Sequence, residues 1–317
     1  MRNTDPPTKP PPRSFGPFTG TDLLSALAVV IIWGLNFVAM KLALRDFTPF
    51  QLGAARYVFA VLPLVFFVRP PRLPWPWLLM AGLSQLGQFA LLFVGLKVGM
   101  TAALASVLIQ TQLFFTVLLG ALLLGERLSM PARCGLGLAA LGLGCFGLNT
   151  ALAATPGAAA QAVTGAGLVL CLGAAAMWAV ANIVARKAQQ RHPGYGALQY
   201  VVWSSLVPVL PFMALAWWFE PPATRWHWLQ AGATAWVGVA YLGWFATIAA
   251  YAMWTALLKR HPAGRVAPFG LAVPLVGLGA GMLVLGETIS ALQWVGSACV
   301  VGALVVVMTG GRFARRA

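Results

Sequence analysis

The polar side chains that could do chemistry inside the apolar segments of this sequence are amides and one arginine. Asn36 and Asn182 follow Trp33 and Trp178 in two similar segments. Glutamines also lie in apolar segments, at Gln85, Gln88, Gln110 and Gln112. An amide in hydrocarbon needs a hydrogen-bonding partner, which is either another helix or a solute. Because an amide both donates and accepts, these groups could bind the carboxylate and ammonium of an amino acid, or simply join helices.

Arg56 is the one basic residue well inside an apolar segment. At the centre of a bilayer an arginine costs roughly 2.5–3.5 kcal/mol on insertion scales. One interpretation is that its side chain extends to the outer interface or bonds to carbonyls of neighbouring helices. The other is that it binds a carboxylate at the outer mouth of a transport pathway. The sequence leaves both open.

Aromatic residues in the middle of apolar segments are the second candidate for a binding surface. They are Trp33, Trp178, Trp203, Tyr241, Trp244, Tyr251 and Trp254. Such rings could line a pocket for an apolar or aromatic side chain and meet an ammonium group face-on, or pack against lipid and helices. We predict that the substrate site is lined by Asn36, Gln88, Gln110, Trp178, Asn182, Trp203, Tyr251 and Trp254.

Carboxylates and imidazoles are expected only in tails, loops and segment ends. The six acidic residues and three histidines all fall there, so we expect no catalytic residues, no metal ion and no cofactor. The chain has neither the His-Glu-x-x-His motif of zinc proteases nor a Walker-type phosphate-binding loop. An enzyme acting on a lipid-linked substrate, and a receptor or scaffold, are the remaining alternatives to a carrier.

The composition determines what must position these residues. Sixty percent of the residues are hydrophobic and 9% are charged, which excludes an ordinary soluble domain. Apolar runs near twenty residues match the thickness of a bilayer, and in lipid each must be helical. We predict an all-α integral membrane protein with ten transmembrane helices, near residues 23–42, 49–68, 75–96, 102–124, 131–149, 164–185, 197–219, 229–257, 263–285 and 291–308.

The net charge of +15 reflects topology rather than nucleic-acid binding. With the N-terminus cytoplasmic, four of the 21 basic residues lie outside and 16 inside, as the positive-inside rule requires. The outside residues are Lys41, Arg45, Lys97 and Arg225. We therefore expect both termini to be cytoplasmic, with membrane lipids and no nucleic acid as partners.

An internal repeat divides the chain. Leu122–Ser129 (LLLGERLS) resembles Leu283–Ser290 (LVLGETIS) at an offset of 161 residues. Five helices per half is an odd number, so the halves are predicted to be inverted repeats, with the substrate site near the midplane where they meet. The predicted divisions are a disordered tail (1–21), the first repeat (22–149), a linker (150–163), the second repeat (164–309) and a basic tail (310–317).

The two Gly-Glu-x-x-Ser turns look catalytic but are better explained as structural. Ser129 and Ser290 occur where an N-cap should begin the fifth and tenth helices, and Ser290 to Gln293 has the pattern of a capping box. Glu126 and Glu287 are then partners of helix termini. Because the two turns are predicted on opposite membrane faces, they cannot share one active site.

The chain resembles the EamA-type ten-helix members of the drug/metabolite transporter superfamily. Three segments carry the resemblance: residues 33–41 (WGLNFVAMK), residues 106–112 (SVLIQTQ) leading into Gly125-Glu126, and residues 265–268 (RVAP) leading into Pro274 and Gly286-Glu287. It is most similar to the bacterial amino-acid exporters of that family, those for cysteine and O-acetylserine and those for aromatic amino acids. The resemblance implies a basket of helices with a central cavity.

We therefore expect a monomeric exporter in the bacterial inner membrane that moves neutral, bulky or aromatic amino acids and related metabolites. It would work by alternating access, either facilitative or coupled to an ion that the sequence does not reveal. The alternative is a broad efflux carrier of drugs or metabolites, in which the amides only join helices. Fold alone does not decide between them, because carriers of unrelated solutes share it.

Overall fold

A computed structural model describes residues 19–124, 128–153, 163–261 and 263–313. Throughout these residues the chain forms helices and no strands, and ten helical segments are long and apolar enough to cross a membrane. The predicted all-α fold with ten transmembrane helices is confirmed. Most of the predicted tails and linker, and Glu126, lie outside the described residues.

The ten spans contain fourteen α-helices in the described chain. Spans 1, 3, 5, 6 and 10 are each a single α-helix, span 2 is one α-helix followed by a 3₁₀ turn, and spans 4, 7, 8 and 9 each contain two α-helices. In chain order the helices are α1 (Gly20–Ala43), α2 (Pro49–Val61), α3 (Trp75–Lys97), α4 (Ala102–Leu108), α5 (Gln112–Leu124), α6 (Met130–Ala153), α7 (Gly165–Arg191), α8 (Ala197–Leu206), α9 (Val209–Phe219), α10 (Ala233–Ala240), α11 (Ala250–Arg260), α12 (Ala263–Gly270), α13 (Val273–Leu285) and α14 (Ala291–Phe313).

Spans 4 and 9 are interrupted at matching positions. In span 4 a single 3₁₀ turn, Ile109–Thr111, separates α4 from α5. In span 9 the break between α12 and α13 falls at residues 271–272. The 161-residue offset of the repeat carries the first break onto the second. Breaks of this kind occur in transporters where backbone groups line a cavity rather than face lipid.

Span 8 is distorted in a different way. A π-helical segment, Tyr241–Ala249, joins α10 to α11. Within it the hydroxyl of Thr247 donates to the carbonyl oxygen of Leu242, five residues earlier, at 2.8 Å. π-Helical segments are rare and occur frequently at functional sites. This distortion turns Thr247 toward the interior of the bundle, where it is buried.

The packing of the helices follows the internal repeat, because each of the most extensive contacts between two spans has a counterpart between the equivalent spans of the other half. Span 3 packs along span 6, and span 1 packs along span 8 in the corresponding way. Spans 4 and 9, 2 and 7, and 5 and 10 pair with their own counterparts. This packing is what a duplicated five-helix unit predicts, and the inverted orientation of the halves stays a prediction.

The centre of the bundle is α4, which is buried along its whole length. Its alanines, together with Gly277 of α13, allow the two helices to approach closely, and a Cβ at residue 277 would overlap Ser106. The hydroxyl of Ser106 donates to the carbonyl oxygen of Ala103 at 2.6 Å. Spans 4 and 9 therefore pack closely against each other.

Ten crossings place the start of α1 and the end of α14 at one end of the bundle, here called the tail end. The opposite end is the far end. At the far end Glu287 accepts hydrogen bonds from the backbone amides of Ala102 and Ala103, each at 2.7 Å. The predicted role of Glu287 as a helix-terminus partner is confirmed, and the helix is α4. The predicted capping box of Ser290 and Gln293 is also present.

Candidate functional site

Arg56 lies in the interior of the bundle rather than at an interface. It is only 4% exposed. One terminal nitrogen donates to the amide oxygen of Asn36 at 3.4 Å, and the other donates to the hydroxyl of Thr247 at 3.1 Å. The guanidinium carbon lies 4.0 Å above the ring centre of Phe89. Spans 1, 2, 3 and 8 therefore meet at this one side chain.

Three aromatic residues form a cluster next to the Arg56 environment. The ring centre of Trp33 lies 5.3 Å from that of Tyr251 and 5.4 Å from that of Trp254. The indole nitrogen of Trp33 donates to the carbonyl oxygen of Ala246 in the π-helical segment at 3.1 Å. Because Trp33 is one helical turn before Asn36, spans 1 and 8 present rings and polar groups side by side.

The second amide cluster joins α5 and α7. Asn182 donates to the side-chain oxygen of Gln112 at 2.7 Å and approaches the hydroxyl of Thr116 at 3.4 Å. Thr116 donates in turn to the backbone carbonyl of Gln112 at 2.7 Å. The groups are neutral, so this cluster differs from that of Asn36, which faces a cation.

Gln110 connects the two interrupted spans. Its side-chain nitrogen donates to the carbonyl oxygen of Gly270 at 3.4 Å. Gly270 also lies beside the indole of Trp254, since a Cβ built at residue 270 would be 3.8 Å from that ring. The breaks in spans 4 and 9 thus lie close to the aromatic cluster.

The other predicted site residues occupy different surroundings. Gln88 is buried on α3, next in sequence to Phe89. Trp178 is partly buried and packs against the central core. Trp203 donates to the carbonyl oxygen of Val68 at 3.0 Å and packs with Leu73 near the tail end, apart from the Arg56 and Asn182 clusters.

A lateral cavity of about 410 Å³ opens on the other face of α2. It is lined by Ala55, Val58 and Phe59, and by aromatic side chains that include Trp217, Trp228 and Trp236. The lining is almost entirely apolar. Arg56 is not part of it, because its side chain leaves α2 on the opposite face.

Comparison with known proteins decides the class. The model of the EamA-like transporter family matches residues 21–148 and 165–309. This chain belongs to that family. It is therefore a multi-pass membrane transporter of a small-molecule substrate, and not an enzyme.

Two curated relatives are similar over nearly their whole length. A protein of Salmonella typhimurium (strain LT2) named "Probable amino-acid metabolite efflux pump" is 38% identical over 297 residues, which are 92% of this chain and 96% of the relative. A protein of the same name from Escherichia coli (strain K12) is 37% identical over 294 residues, with the same coverage.

More distant likenesses extend the comparison. A "Probable terminal-alkyne amino-acid exporter" of Streptantibioticus cattleyicolor is 25% identical, over 88% of this chain and 90% of the relative. A crystal structure superposes with a TM-score of 0.60 at 21% identity, over 93% of this chain and 98% of that one. At 21% identity this likeness supports the fold only and says nothing about the substrate.

Some residues of the Arg56 environment were not foreseen from the sequence. Thr247 is the polar group that the π-helical segment turns inward, and its only signal is a hydroxyl within an apolar run. Phe89 could not be separated from other buried phenylalanines. In the part of the chain that the structure describes, no three His, Cys, Asp or Glu side chains group as a metal site would require.

Proposed function

We propose that this EamA-like transporter exports neutral amino acids, chiefly those with bulky or aromatic side chains, from the cytoplasm across the bacterial inner membrane. The observation that carries the proposal is that the buried pair of Arg56 and Asn36 adjoins the partly buried ring cluster of Trp33, Tyr251 and Trp254, with Trp33 one helical turn before Asn36. Polar groups for a zwitterion and aromatic surface for a side chain adjoin there. The names of the relatives with 37% and 38% identity support the same substrate class.

The proposed site extends from this cluster to the breaks in spans 4 and 9. Asn36, Tyr251 and Trp254 form one side of it, and Gln110 reaches it through Gly270. Asn182 and Trp178 of span 6, and Gln88 of span 3, would complete the opposite side. Trp203 would act at the tail end, at the entry to the predicted central cavity, because its indole donates to the carbonyl oxygen of Val68 in the loop there.

Alternating access is supported by where the two helix pairs are joined. At the far end Lys41 of span 1 donates to the carbonyl of Leu96 in span 3, which ties the span 1–8 pair to the span 3–6 pair. At the tail end Asp22 bonds His261 within the first pair, and Arg191 lies over Trp77 within the second. We infer that the described state is closed at the far end and accessible from the tail end, the cytoplasmic side in the charge-based topology.

Export from cells tests the proposal. Bacteria that produce the protein would be loaded with labelled phenylalanine and transferred to label-free medium. We expect faster loss of label than from cells with an empty vector, and a similar rate after the proton gradient is dissipated if transport is facilitative. Equal loss from both kinds of cells, with the protein present in the membrane, would contradict amino-acid export.

The second candidate, broad efflux of drugs or metabolites, is favoured by the lateral apolar cavity. Lipophilic cations entering from the membrane would be expected to use that surface rather than the Arg56 environment. Narrowing the cavity with Ala55→Phe should then reduce drug efflux and spare phenylalanine efflux. If Ala55→Phe instead reduced phenylalanine efflux and left drug efflux unchanged, the lateral cavity would bind amino acids rather than drugs.

A further inference from the structure

Arg56 has a buried positive charge without a counterion among the residues that the structure describes. The described carboxylates are engaged at the two ends of the bundle. Asp22 pairs with His261 and Arg260 at the tail end. Asp46, Glu220 and Glu287 each accept backbone amide hydrogen bonds at the far end. An unpaired buried charge is strongly unfavourable, so an anion from outside the described residues would stabilise Arg56.

In the part of the chain that the structure describes, the partners of Arg56 are neutral, and not all of its N–H donors are used. Asn36 and Thr247 each accept one hydrogen bond, and Phe89 covers one face of the guanidinium. The inner nitrogen, Nε, has no hydrogen-bonding partner among the described residues. A guanidinium has five N–H donors in a planar fork that matches a carboxylate with two parallel hydrogen bonds. The unpaired N–H groups of Arg56 are therefore suited to binding a planar carboxylate.

The direction of the side chain places these donors on the interior side of α2. The residues of α2 that line the lateral cavity lie on the other face, and they are Gln51, Ala54, Ala55, Val58 and Phe59. Arg56 instead faces span 1 and the π-helical segment of span 8, where Trp33 and Tyr251 present their rings. Any anion that pairs with Arg56 must therefore come through the interior of the transporter.

We propose that Arg56 binds the carboxylate of the transported solute, with Asn36 and Thr247 as positioning residues that hold its guanidinium. The ammonium group and side chain of the solute would contact the rings of Trp33, Tyr251 and Trp254. This inference rests on the proposed function, and it makes a free carboxylate the obligatory feature of a substrate. Amino-acid amides, esters and the corresponding amines are excluded.

Equilibrium binding to the purified, detergent-solubilised protein tests the proposal without transport. The probes are L-phenylalanine, L-phenylalaninamide and 3-phenylpropionate, which separate the contributions of carboxylate and ammonium. We expect phenylalanine and phenylpropionate to bind, and the amide to bind roughly thirtyfold or more weakly, because it leaves the buried charge unpaired. Arg56→Gln should weaken the binding of both acids by a similar factor and leave the amide unaffected.

Asn36→Asp is a second variant that keeps Arg56 in place. The new carboxylate would take the position of the amide oxygen, 3.4 Å from the guanidinium, and neutralise it from within the chain. We expect the ligand-free protein to unfold at a higher temperature while binding of both acids is lost. Arg45→Gln, which removes an exposed arginine at the far end of the bundle, is the matched control and should leave binding unchanged.

A purely structural arginine would give the opposite pattern. Arg56→Gln would then lower the unfolding temperature, and wild type would bind phenylalanine and its amide equally or bind neither acid. Any of these results overturns the proposal. Two results distinguish failure of this inference from failure of the proposed function. Arg56-dependent binding of 3-phenylpropionate without export of phenylalanine would support the carboxylate site and contradict amino-acid export. Export of phenylalanine by the Arg56→Gln variant at the wild-type rate would support amino-acid export and contradict the carboxylate site.

Discussion

Lys41 and Lys97 each bond to the end of the helix that carries the other. Lys41, in the last turn of α1, donates to the carbonyl oxygens of Leu96 and Met100 at 2.7 and 2.8 Å. Lys97, the last residue of α3, donates to the carbonyl oxygen of Leu44 at 2.8 Å. Carbonyls at a helix C-terminus lack partners within the helix and carry partial negative charge, so ammonium groups bind them well. These reciprocal hydrogen bonds hold spans 1 and 3 together at the far end.

Lys41→Met should loosen this connection. Hydrogen bonds from charged groups contribute roughly 1.5–3 kcal/mol each, and partial exposure reduces that, so we expect the free energy of unfolding to fall by about 1–2 kcal/mol. Hydrogen–deuterium exchange at residues 97–101 should also accelerate. Arg45→Gln removes an exposed positive charge at the same end and serves as the control. Unchanged exchange in Lys41→Met would show that the far end is closed by other contacts.

Glu287 should stabilise the protein through the N-terminus of α4. Its two carboxylate oxygens accept the amide hydrogens of Ala102 and Ala103, which have no partners within their own helix. Glu287→Ala should lower the free energy of unfolding by about 1–2 kcal/mol, and Glu287→Gln, which retains one acceptor oxygen, by less. Thermal unfolding in detergent measures both. Equal stability of the three proteins would be incompatible with this role.

Glu220 should make stability depend on pH. Burial raises the pKa of its carboxyl group above 4.5, although hydrogen bonds from the Thr48 hydroxyl and the Phe50 amide oppose the shift. The folded protein then retains the proton to a higher pH than the unfolded chain does. The free energy contributed by this group is fully present below pH 4.5 and is lost as the pH rises through the raised pKa.

Glu220→Gln stays neutral and should remove that dependence. The unfolding temperature of the variant should exceed that of wild type by an amount that grows between about pH 4.5 and neutral pH. Asp46→Asn, at the same end of the bundle, is the control for a general loss of negative charge. A difference between Glu220→Gln and wild type that is constant over this range would contradict the prediction.

The two asparagines should matter for flux rather than for folding. Asn36 contacts Arg56, and Asn182 contacts Gln112, so their truncation to alanine alters two polar clusters of the proposed site. We expect the Asn36→Ala/Asn182→Ala protein to remain folded and to export phenylalanine at less than about a tenth of the wild-type rate. Wild-type flux through the folded double variant would mean that the amides serve only to join helices.

The sequence predicted the elements of this fold because membrane insertion leaves few alternatives. Length, hydropathy and loop charge give ten helices, since each apolar run must satisfy its own backbone. The caps at Ser290 and the role of Glu287 followed from local patterns. The partner of Glu287, the first turn of α4, did not, because the two lie 185 residues apart and meet only through packing.

The site was less accessible to sequence analysis. Polar residues in apolar runs made Asn36, Gln110 and Asn182 candidates for the site, and they stay candidates, because periodicity does not show which helices face each other. The sequence left Arg56 with two interpretations, and its burial against Asn36 and Thr247 depends on the π-helical distortion of span 8. Trp203 illustrates the converse, because its position within span 7 gave no sign that it bonds the loop carbonyl of Val68.

Counterflow into liposomes tests amino-acid transport most directly. Purified protein would be reconstituted into vesicles loaded with unlabelled phenylalanine, and traces of labelled phenylalanine would be added outside without any ion gradient. We predict transient accumulation of label that is saturable, competed by external tryptophan and methionine, and not competed by phenylalaninamide. Uptake no greater than that of protein-free vesicles, with and without an imposed proton gradient, would contradict the assignment of neutral amino acids as substrates.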